Sequence, residues 1–176
     1  GGLLPAAGDG FWASVYLGPL FTMWLPLVFV AFADYDIVYL AGGWGAAFDL
    51  GFSDELGRQI TRANELDRVI GGVCHGPLGL LKATAADGTP LVQGRRIAAV
   101  TNKQVRELGI ESTPHHPETE LRKLGAEFES ATHRLRDPLA NHWVVDGNLV
   151  TGQNQNAGPM VAREMMRIVF DAPAQV

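Results

Sequence analysis

Residues 69–77 read Val-Ile-Gly-Gly-Val-Cys-His-Gly-Pro, and this stretch decides the fold. Its first five residues are apolar or glycine, as expected of a strand whose two faces are both buried in a parallel sheet. The strand runs directly into Cys74, with glycine two residues before it and two residues after it. This spacing predicts a tight turn from a strand into a helix, because such a turn leaves no room for Cβ atoms.

A second strand of the same kind lies upstream. Residues 36–40, Asp-Ile-Val-Tyr-Leu, end in Ala41-Gly42-Gly43, which predicts a buried strand that enters a glycine-rich turn. Between the two strands, residues 53–66 show helical spacing of apolar side chains. Ser53 is the expected N-cap, and Asp54 and Glu55 fall in the first turn, where the helix dipole favours acids.

The alternation of strand and helix continues downstream. We expect a helix from residues 78–83, strands at 96–100, 143–145 and 149–151, and helices at 118–124 and 158–170. This order predicts an α/β fold with a mainly parallel sheet and helices on both faces. In such folds ligands bind at the carboxyl ends of the strands.

Length and charge limit the classes of function. The chain of 176 residues is long enough for one domain with a buried core. Fourteen Lys and Arg against 19 Asp and Glu give a net charge of −5, without a basic cluster, which argues against nucleic acid as a partner. The single cysteine forms no internal disulfide, so we expect a reducing compartment, the cytoplasm. We expect no structural metal, because the residue spacing of a zinc site is absent.

The N-terminal segment is unusual. No charged residue occurs from Gly10 to Ala33, and aromatic and aliphatic residues dominate. The length would allow a membrane span, but Pro19 and Pro26 interrupt it and no Lys or Arg flanks it. A buried core or interface segment is therefore the favoured interpretation, and membrane insertion is the alternative. We divide the chain into this apolar segment, residues 1–33, and an α/β domain, residues 34–176.

The chemistry is expected at Cys74 and His75. At the start of a helix, unpaired N–H groups and the positive end of the dipole would lower the pKa of the Cys74 thiol and favour a reactive thiolate. An adjacent imidazole is the usual base or charge partner of such a thiol. The alternatives are that Cys74 is a small buried apolar residue and that His75 is exposed to solvent at a helix start.

Backbone groups near the thiol are candidates for binding a developing negative charge. The N–H of His75 follows the nucleophile, which is the standard position of an oxyanion donor. The turn of Gly42, Gly43, Trp44 and Gly45 is a second source of such a donor, and Gly76 completes the expected pocket. A phosphate site at this turn is disfavoured, because the full glycine spacing and the accompanying lysine are missing.

Several motifs together resemble the ThiJ/PfpI superfamily. They are residues 35–45 followed by Asp49-Leu50, then 73–77, 121–126 and 145–154, in matching order and spacing. Within that superfamily the chain is most similar to the heat-shock chaperone-like branch with the class I glutamine amidotransferase-like fold, which includes the glutathione-independent glyoxalases (glyoxalase III).

The resemblance implies a flavodoxin-like three-layer sandwich, a homodimer, and no metal or organic cofactor. By position, Cys74 would be the nucleophile and His75 its partner, with an oxyanion site formed by the backbone near Gly43 and at His75. The implied reaction converts methylglyoxal to D-lactate through a hemithioacetal on the cysteine. The implied partner is therefore a small carbonyl compound.

The chain departs from the family pattern in two ways. The usual first strand–helix unit carries a glutamate that hydrogen-bonds the cysteine, and here Ser14 or Val15 stands at that position unless the unit is absent. The protease-like branch takes an acid from a neighbouring subunit, and Asp54 or Glu55 would suit that role. Ordinary first-turn helix acids are the alternative interpretation of these two residues.

Other functions and sites stay open. A holdase chaperone or redox sensor on the same fold is the main alternative function, and a thiol peptidase or amidase is the third. Glu118 and Glu120 beside His115 and His116 suggest a metal cluster, but helix capping and solvated charge explain them better. Gln153 either lines the pocket floor or satisfies turn backbone.

Overall fold

The structure, a computed structural model, describes residues 31–133 and 135–171. Its strands are β1 (Ile37–Leu40), β2 (Val69–Val73), β3 (Arg96–Ala98), β4 (Glu127–Glu129), β5 (Trp143–Asp146) and β6 (Leu149–Gly152). Its α-helices are α1 (Ala46–Asp49), α2 (Asp54–Glu65), α3 (Asn102–Glu107), α4 (Pro117–Lys123) and α5 (Gly158–Asp171). Short 3-10 helices cover Phe32–Asp34, Leu50–Phe52, Gly76–Leu80, Asp137–Leu139 and Gln155–Ala157.

The main sheet of the described part is mostly parallel, as predicted. Its strand order is β1-β2-β6-β5, with β1 parallel to β2, β2 parallel to β6, and β5 antiparallel to β6. Leu40 pairs with Gly72 in register, so the ends of β1 and β2 lie side by side. Strands β3 and β4 form a separate parallel pair. The α/β architecture is confirmed, while β4 and the two-stranded sheet were not predicted.

Helices pack on both faces of the central strands. Val161 and Met165 of α5 are buried against Val69 and Val73 of β2. Each of these buried side chains contributes about 1.5–3 kcal/mol relative to an exposed one. On the other face, the Cβ position of Gly79 lies 3.1 Å from Leu40 and 3.2 Å from Leu56, so this glycine lets the 3-10 helix Gly76–Leu80 pack closely on β1 and α2.

Helix α2 confirms the predicted start signal. The side chain of Ser53 accepts a hydrogen bond of 3.1 Å from the backbone N–H of Leu56. Leu56, Ile60 and Ala63 recur at helical spacing and are buried. The predicted helices at 118–124 and 158–170 are also present, as α4 and α5, with ends shifted by a residue.

The expected helix at residues 78–83 is wrong. The chain forms a 3-10 helix over Gly76–Leu80 instead. Pro77 lacks a backbone N–H, and the two glycines of the segment favour a short tight turn over a continuous α-helix. Helix α3 was missed, although Thr101 and Gln104 form a capping box that could have revealed it.

Residues 1–30 of the apolar N-terminal segment lie outside the described residues, so the role of this segment stays a prediction. The 3-10 helix Phe32–Asp34 lies across the predicted boundary between this segment and the α/β domain. Within residues 31–133 and 135–171, no helix is long and apolar enough to cross a membrane.

Candidate active site

Cys74 occupies the strained turn that the glycine spacing predicts. It follows β2 directly and has a φ of 61°, a left-handed conformation that non-glycine residues rarely adopt. Its backbone is held on both sides, because its N–H donates to the carbonyl of Gly152 at 3.0 Å and its carbonyl accepts from Val100 N–H at 3.0 Å. These two hydrogen bonds hold the backbone of Cys74 in its strained conformation.

Glycines permit this turn through close backbone contact. A Cβ on Gly72 would lie 2.5 Å from the carbonyl oxygen of Leu40, and one on Gly76 would lie 2.1 Å from the same atom. A Cβ on Gly42 would lie 2.5 Å from the carbonyl oxygen of Val73 and 2.9 Å from Cβ of Cys74. Sequence reasoning identified the role of the first two glycines but missed that Gly42 packs directly on the cysteine.

Two backbone amides and one imidazole converge on the sulfur of Cys74. Nδ1 of His75 lies 3.4 Å from the sulfur, and the backbone amides of His75 and Gly43 act to lower the pKa of the thiol. Gly43 adopts a φ of 116°, which glycine accepts without strain. These are the two amides that the sequence suggested as donors to a negative charge.

The Cys74 thiol is less acidic than predicted. Burial raises the pKa of the Cys74 thiol, although the amide hydrogen bonds from His75 and Gly43 lower it in part. The expectation of a lowered pKa assumed a long helix after the cysteine. The five-residue 3-10 helix that follows supplies little dipole, and the thiol also packs against the apolar cluster of α5, so desolvation outweighs the amides.

His75 is buried, so the solvent-exposed alternative is wrong. Only 1% of the residue is accessible. Burial lowers the pKa of His75 to about 4, with a further contribution from the charge of His116. Its Nε2 atom has no hydrogen-bond partner among the described residues. The imidazole is thus neutral at physiological pH, and the thiol beside it is protonated.

The aromatic residue of the turn lies at the protein surface. Trp44 follows Gly43 and is about half exposed, and its ring packs edge-on against Phe48 with centroids 6.2 Å apart. Gly45 precedes α1, and nothing lies within 4 Å of the position that its Cβ would take. The Gly43 amide thus acts on the pKa of the thiol, whereas Trp44 is half exposed and the space around the Cβ position of Gly45 is open.

The candidate third acids have partners within their own chain. Asp54 lies 3.3 Å from Nζ of Lys82. Glu55 accepts from Gln59 at 3.0 Å and from Arg58, and these hydrogen bonds lower the pKa of the Glu55 carboxyl. Both act here as first-turn acids of α2, and their role towards a neighbouring subunit stays a prediction.

The remaining candidates have structural roles. Glu118 accepts from the backbone N–H of Asn102 at 2.9 Å and from Arg122 at 3.1 Å. Across residues 31–133 and 135–171, no group of three His, Cys, Asp or Glu side chains is arranged to hold a metal ion. The fully buried Gln153 bonds both the N–H and the carbonyl of Ala131, at 2.8 and 2.9 Å, so it satisfies loop backbone. Ser14 and Val15, one of which we expected at the position of the family's glutamate if that unit is present, lie outside the described residues.

Comparisons with known proteins agree on one family. The sequence profile of the DJ-1/PfpI family matches residues 25–168. A putative glutathione-independent glyoxalase of Schizosaccharomyces pombe is 32% identical over 148 residues, which are 79% of this chain and 56% of the relative. Glyoxalase 3 of Candida albicans is 30% identical over 135 residues, 76% of this chain and 57% of the relative. The chain therefore spans little more than half the length of these curated relatives.

Solved structures share the fold. The crystal structure of glyoxalase III from Candida albicans superposes with a TM-score of 0.67 at 23% identity, covering 94% of this chain and 71% of that one. The 24 kDa Rapid Encystment Protein of Francisella tularensis superposes with a TM-score of 0.75 at 22% identity, covering 82% and 62%. The predicted α/β fold and the family resemblance are both confirmed.

Proposed function

The chain belongs to the DJ-1/PfpI family, and from that premise we propose that it is a glutathione-independent glyoxalase that converts small 2-oxoaldehydes to 2-hydroxy acids. The observation that carries this proposal is the 3.4 Å contact between the Cys74 sulfur and Nδ1 of His75, on a strained turn whose amides act to lower the pKa of the thiol. The names of the relatives that cover most of this chain support the substrate class.

The first step is addition of the thiol to the aldehyde. As the Cys74 sulfur bonds the aldehyde carbon, its proton passes to Nδ1 of His75, 3.4 Å away, and then to the former carbonyl oxygen. The amides of Gly43 and His75 are positioned to stabilise negative charge on that oxygen. The product is a neutral hemithioacetal, and His75 is again free to accept a proton.

The second step moves a proton between carbon atoms. His75 takes the proton from the former aldehyde carbon, which gives an enediolate, and returns it to the neighbouring carbon. The hydroxyl proton on the former aldehyde carbon passes to the former ketone oxygen, so that a thioester carbonyl and an alcohol result. The aldehyde carbon is thereby oxidised to a thioester while the ketone carbon is reduced to an alcohol, so no external oxidant or reductant is needed. Water then cleaves the thioester, which releases the 2-hydroxy acid and restores the thiol.

A turnover assay with matched variants tests this proposal. Purified protein would be incubated with methylglyoxal in the absence of glutathione, and D-lactate would be measured for the wild type, Cys74→Ala and His75→Gln. We expect lactate from the wild type, none from Cys74→Ala, and a decrease of about a hundredfold or more in His75→Gln. Circular dichroism would check folding of each variant. Absence of lactate from the folded wild-type protein would overturn the proposal.

A holdase chaperone is the second candidate, because three aromatic side chains are about half exposed near the glycine-rich turn. They are Trp44, Phe48 and Phe52. Exposed apolar surface of this kind can bind unfolded chains. Suppression of aggregation that persists in Cys74→Ala and falls in Trp44→Ser would support this function. The raised pKa of the Cys74 thiol argues against the redox sensor, because oxidants attack thiolates.

Assembly and location are parts of the same proposal. The family resemblance supports a homodimer, which the molar mass from light scattering would check. A reducing compartment such as the cytoplasm would keep the lone thiol of Cys74 available for the reaction.

A further inference from the structure

Tyr39 projects from the same face of the sheet as the reactive thiol. Side chains two residues apart on a strand share a face, and Ile37 packs against the apolar cluster formed by β2, β6 and α5. Tyr39 therefore extends over this face as well, and its hydroxyl oxygen lies 3.9 Å from the Cβ position of Gly158, the first residue of α5.

The side chain of Cys74 lies on the same face of the sheet, near the start of α5. Its side chain packs against the cluster that includes Val73, Ala157 and Val161. The first turn of α5 thus lies beside both the thiol and the Tyr39 phenol. Burial raises the pKa of the Tyr39 phenol, and the charge of the nearby Cys74 raises it further, so the two groups are within electrostatic reach of each other.

The Tyr39 hydroxyl is available to a ligand. The residue is 43% exposed, and its hydroxyl forms no hydrogen bond with any residue of the described ranges 31–133 and 135–171. Structure alone does not require this hydroxyl, because phenylalanine would fill the same space against α5. A protonated phenol beside a nucleophile offers one hydrogen-bond donor directed at whatever the nucleophile holds.

We propose that Tyr39 donates a hydrogen bond to the second oxygen of a dicarbonyl substrate, the ketone oxygen adjacent to the aldehyde that reacts with Cys74. This inference rests on the proposed glyoxalase function. When the carbon-bound proton leaves, the electron pair of that bond forms the carbon–carbon double bond, and the ketone π pair moves to the ketone oxygen. A donor at this oxygen stabilises the developing charge, as an oxyanion-binding group does.

The proposal assigns substrate selectivity to Tyr39. A 2-oxoaldehyde has the second oxygen that the phenol would bind, whereas a simple aldehyde such as acetaldehyde lacks it. Removal of the hydroxyl should therefore weaken binding of the dicarbonyl and leave binding of the simple aldehyde unchanged. This difference separates a direct contact from a general change in the reactivity of Cys74.

The test compares wild type, Tyr39→Phe and the matched control Tyr35→Phe, a tyrosine that is 53% exposed just before β1. Two quantities would be measured for each protein: turnover of methylglyoxal, and the aldehyde concentration that half-protects Cys74 from iodoacetamide. Methylglyoxal and acetaldehyde would be the two protecting aldehydes. Reversible hemithioacetal formation protects the thiol whether or not turnover follows.

We expect Tyr39→Phe to lower kcat/KM at least about tenfold and to raise the half-protecting concentration of methylglyoxal by a similar factor. Protection by acetaldehyde, and every value for Tyr35→Phe, should stay within about twofold of wild type. Equal methylglyoxal values in wild type and Tyr39→Phe would overturn the assignment of Tyr39 and leave the glyoxalase function intact. Loss of methylglyoxal protection in Tyr39→Phe, with a wild type that produces no lactate, would overturn the function and retain Tyr39 as the carbonyl-binding residue. No protection of wild type by methylglyoxal would overturn both.

Discussion

The sulfur of Cys74 lies 3.4 Å from Nδ1 of His75, and both groups are neutral in the free protein. Burial raises the pKa of the thiol and lowers that of the imidazole to about 4, so charge separation between them is unfavourable until a substrate arrives. In the proposed reaction, proton transfer would therefore accompany bond formation to the aldehyde. Such a site resists unproductive alkylation and oxidation, which require a preformed thiolate.

The first prediction concerns the reactivity of Cys74 towards iodoacetamide. Because the pKa of the thiol is raised, the rate constant should rise about tenfold per pH unit beyond the ordinary range of thiols, with no plateau near neutral pH. At neutral pH the folded protein should react more slowly than the same protein in urea. Urea-denatured protein is the matched control, because Cys74 is the single cysteine of the chain. A plateau below neutral pH would contradict this prediction and indicate a stable thiolate.

The second prediction concerns stability and pH at His75. Its pKa is about 4 in the folded state, below the ordinary value of 6.5, so the unfolded chain binds a proton more readily. This contribution to stability is present above the unfolded-state pKa and is lost as pH falls towards the folded-state value. Between about pH 7.5 and about pH 5, the wild type should lose about 2 kcal/mol more unfolding free energy than His75→Gln. Urea unfolding at the two pH values measures this difference, and equal losses in the two proteins would refute it.

The central strands could be predicted from the sequence because the pattern that identifies them lies within each strand. Val69–Val73 is buried at every position, and a continuous apolar run predicts that burial without knowledge of what covers it. The turn at Cys74 was also predicted from the sequence, because the glycines at residues 72 and 76 indicate that the turn has no space for a Cβ atom. The helix cap at Ser53 depends on a contact three residues away and was also predicted.

Properties that depend on packing between residues far apart in the chain could not be predicted from the sequence. The raised pKa of Cys74 follows from burial against residues of α5, which begins at Gly158, far along the chain. Gly42 is constrained by Val73 and Cys74 across the β1–β2 contact, and nothing in its own neighbourhood shows this. The sequence shows Tyr39 only as one more apolar strand residue. The fold shows that its hydroxyl lies close to the start of α5 and has no hydrogen-bond partner among residues 31–133 and 135–171.

The third prediction concerns the buried side chain of Gln153. Gln153→Ala would leave the N–H and carbonyl of Ala131 without their present partners, so we expect a loss of about 2 kcal/mol or more in unfolding free energy. Gln155→Ala, at an exposed position nearby, is the matched control and should change stability by less than about 0.5 kcal/mol. Urea unfolding at neutral pH measures both variants. Similar stabilities of the two would show that the Ala131 contacts contribute little.

The last prediction compares alanine substitutions at two glycines of the turn after β1, Gly42 and Gly45. In Gly42→Ala the new Cβ would lie 2.5 Å from the carbonyl of Val73 and 2.9 Å from Cβ of Cys74, so β1 must shift away from the elbow. Overpacking of this kind costs about 1–3 kcal/mol. The shift also draws the Gly43 amide off the sulfur, which removes a contribution that lowers the thiol pKa. We therefore expect Gly42→Ala to have a lower unfolding free energy, and its Cys74 thiol to be alkylated more slowly at neutral pH. Its turnover of methylglyoxal should fall by more than the fraction of unfolded protein accounts for.

Gly45→Ala is the matched control for that variant. Gly45 has helical angles, with φ −54° and ψ −34°, and the space around its Cβ position is open. Alanine fits these angles, so stability should stay within about 0.5 kcal/mol of wild type and alkylation should be unchanged. Wild-type alkylation in a folded but destabilised Gly42→Ala would show that the Gly43 amide does not control the thiol. Equal losses in both variants would instead locate the effect in the flexibility of the whole turn rather than in the contact with Cys74.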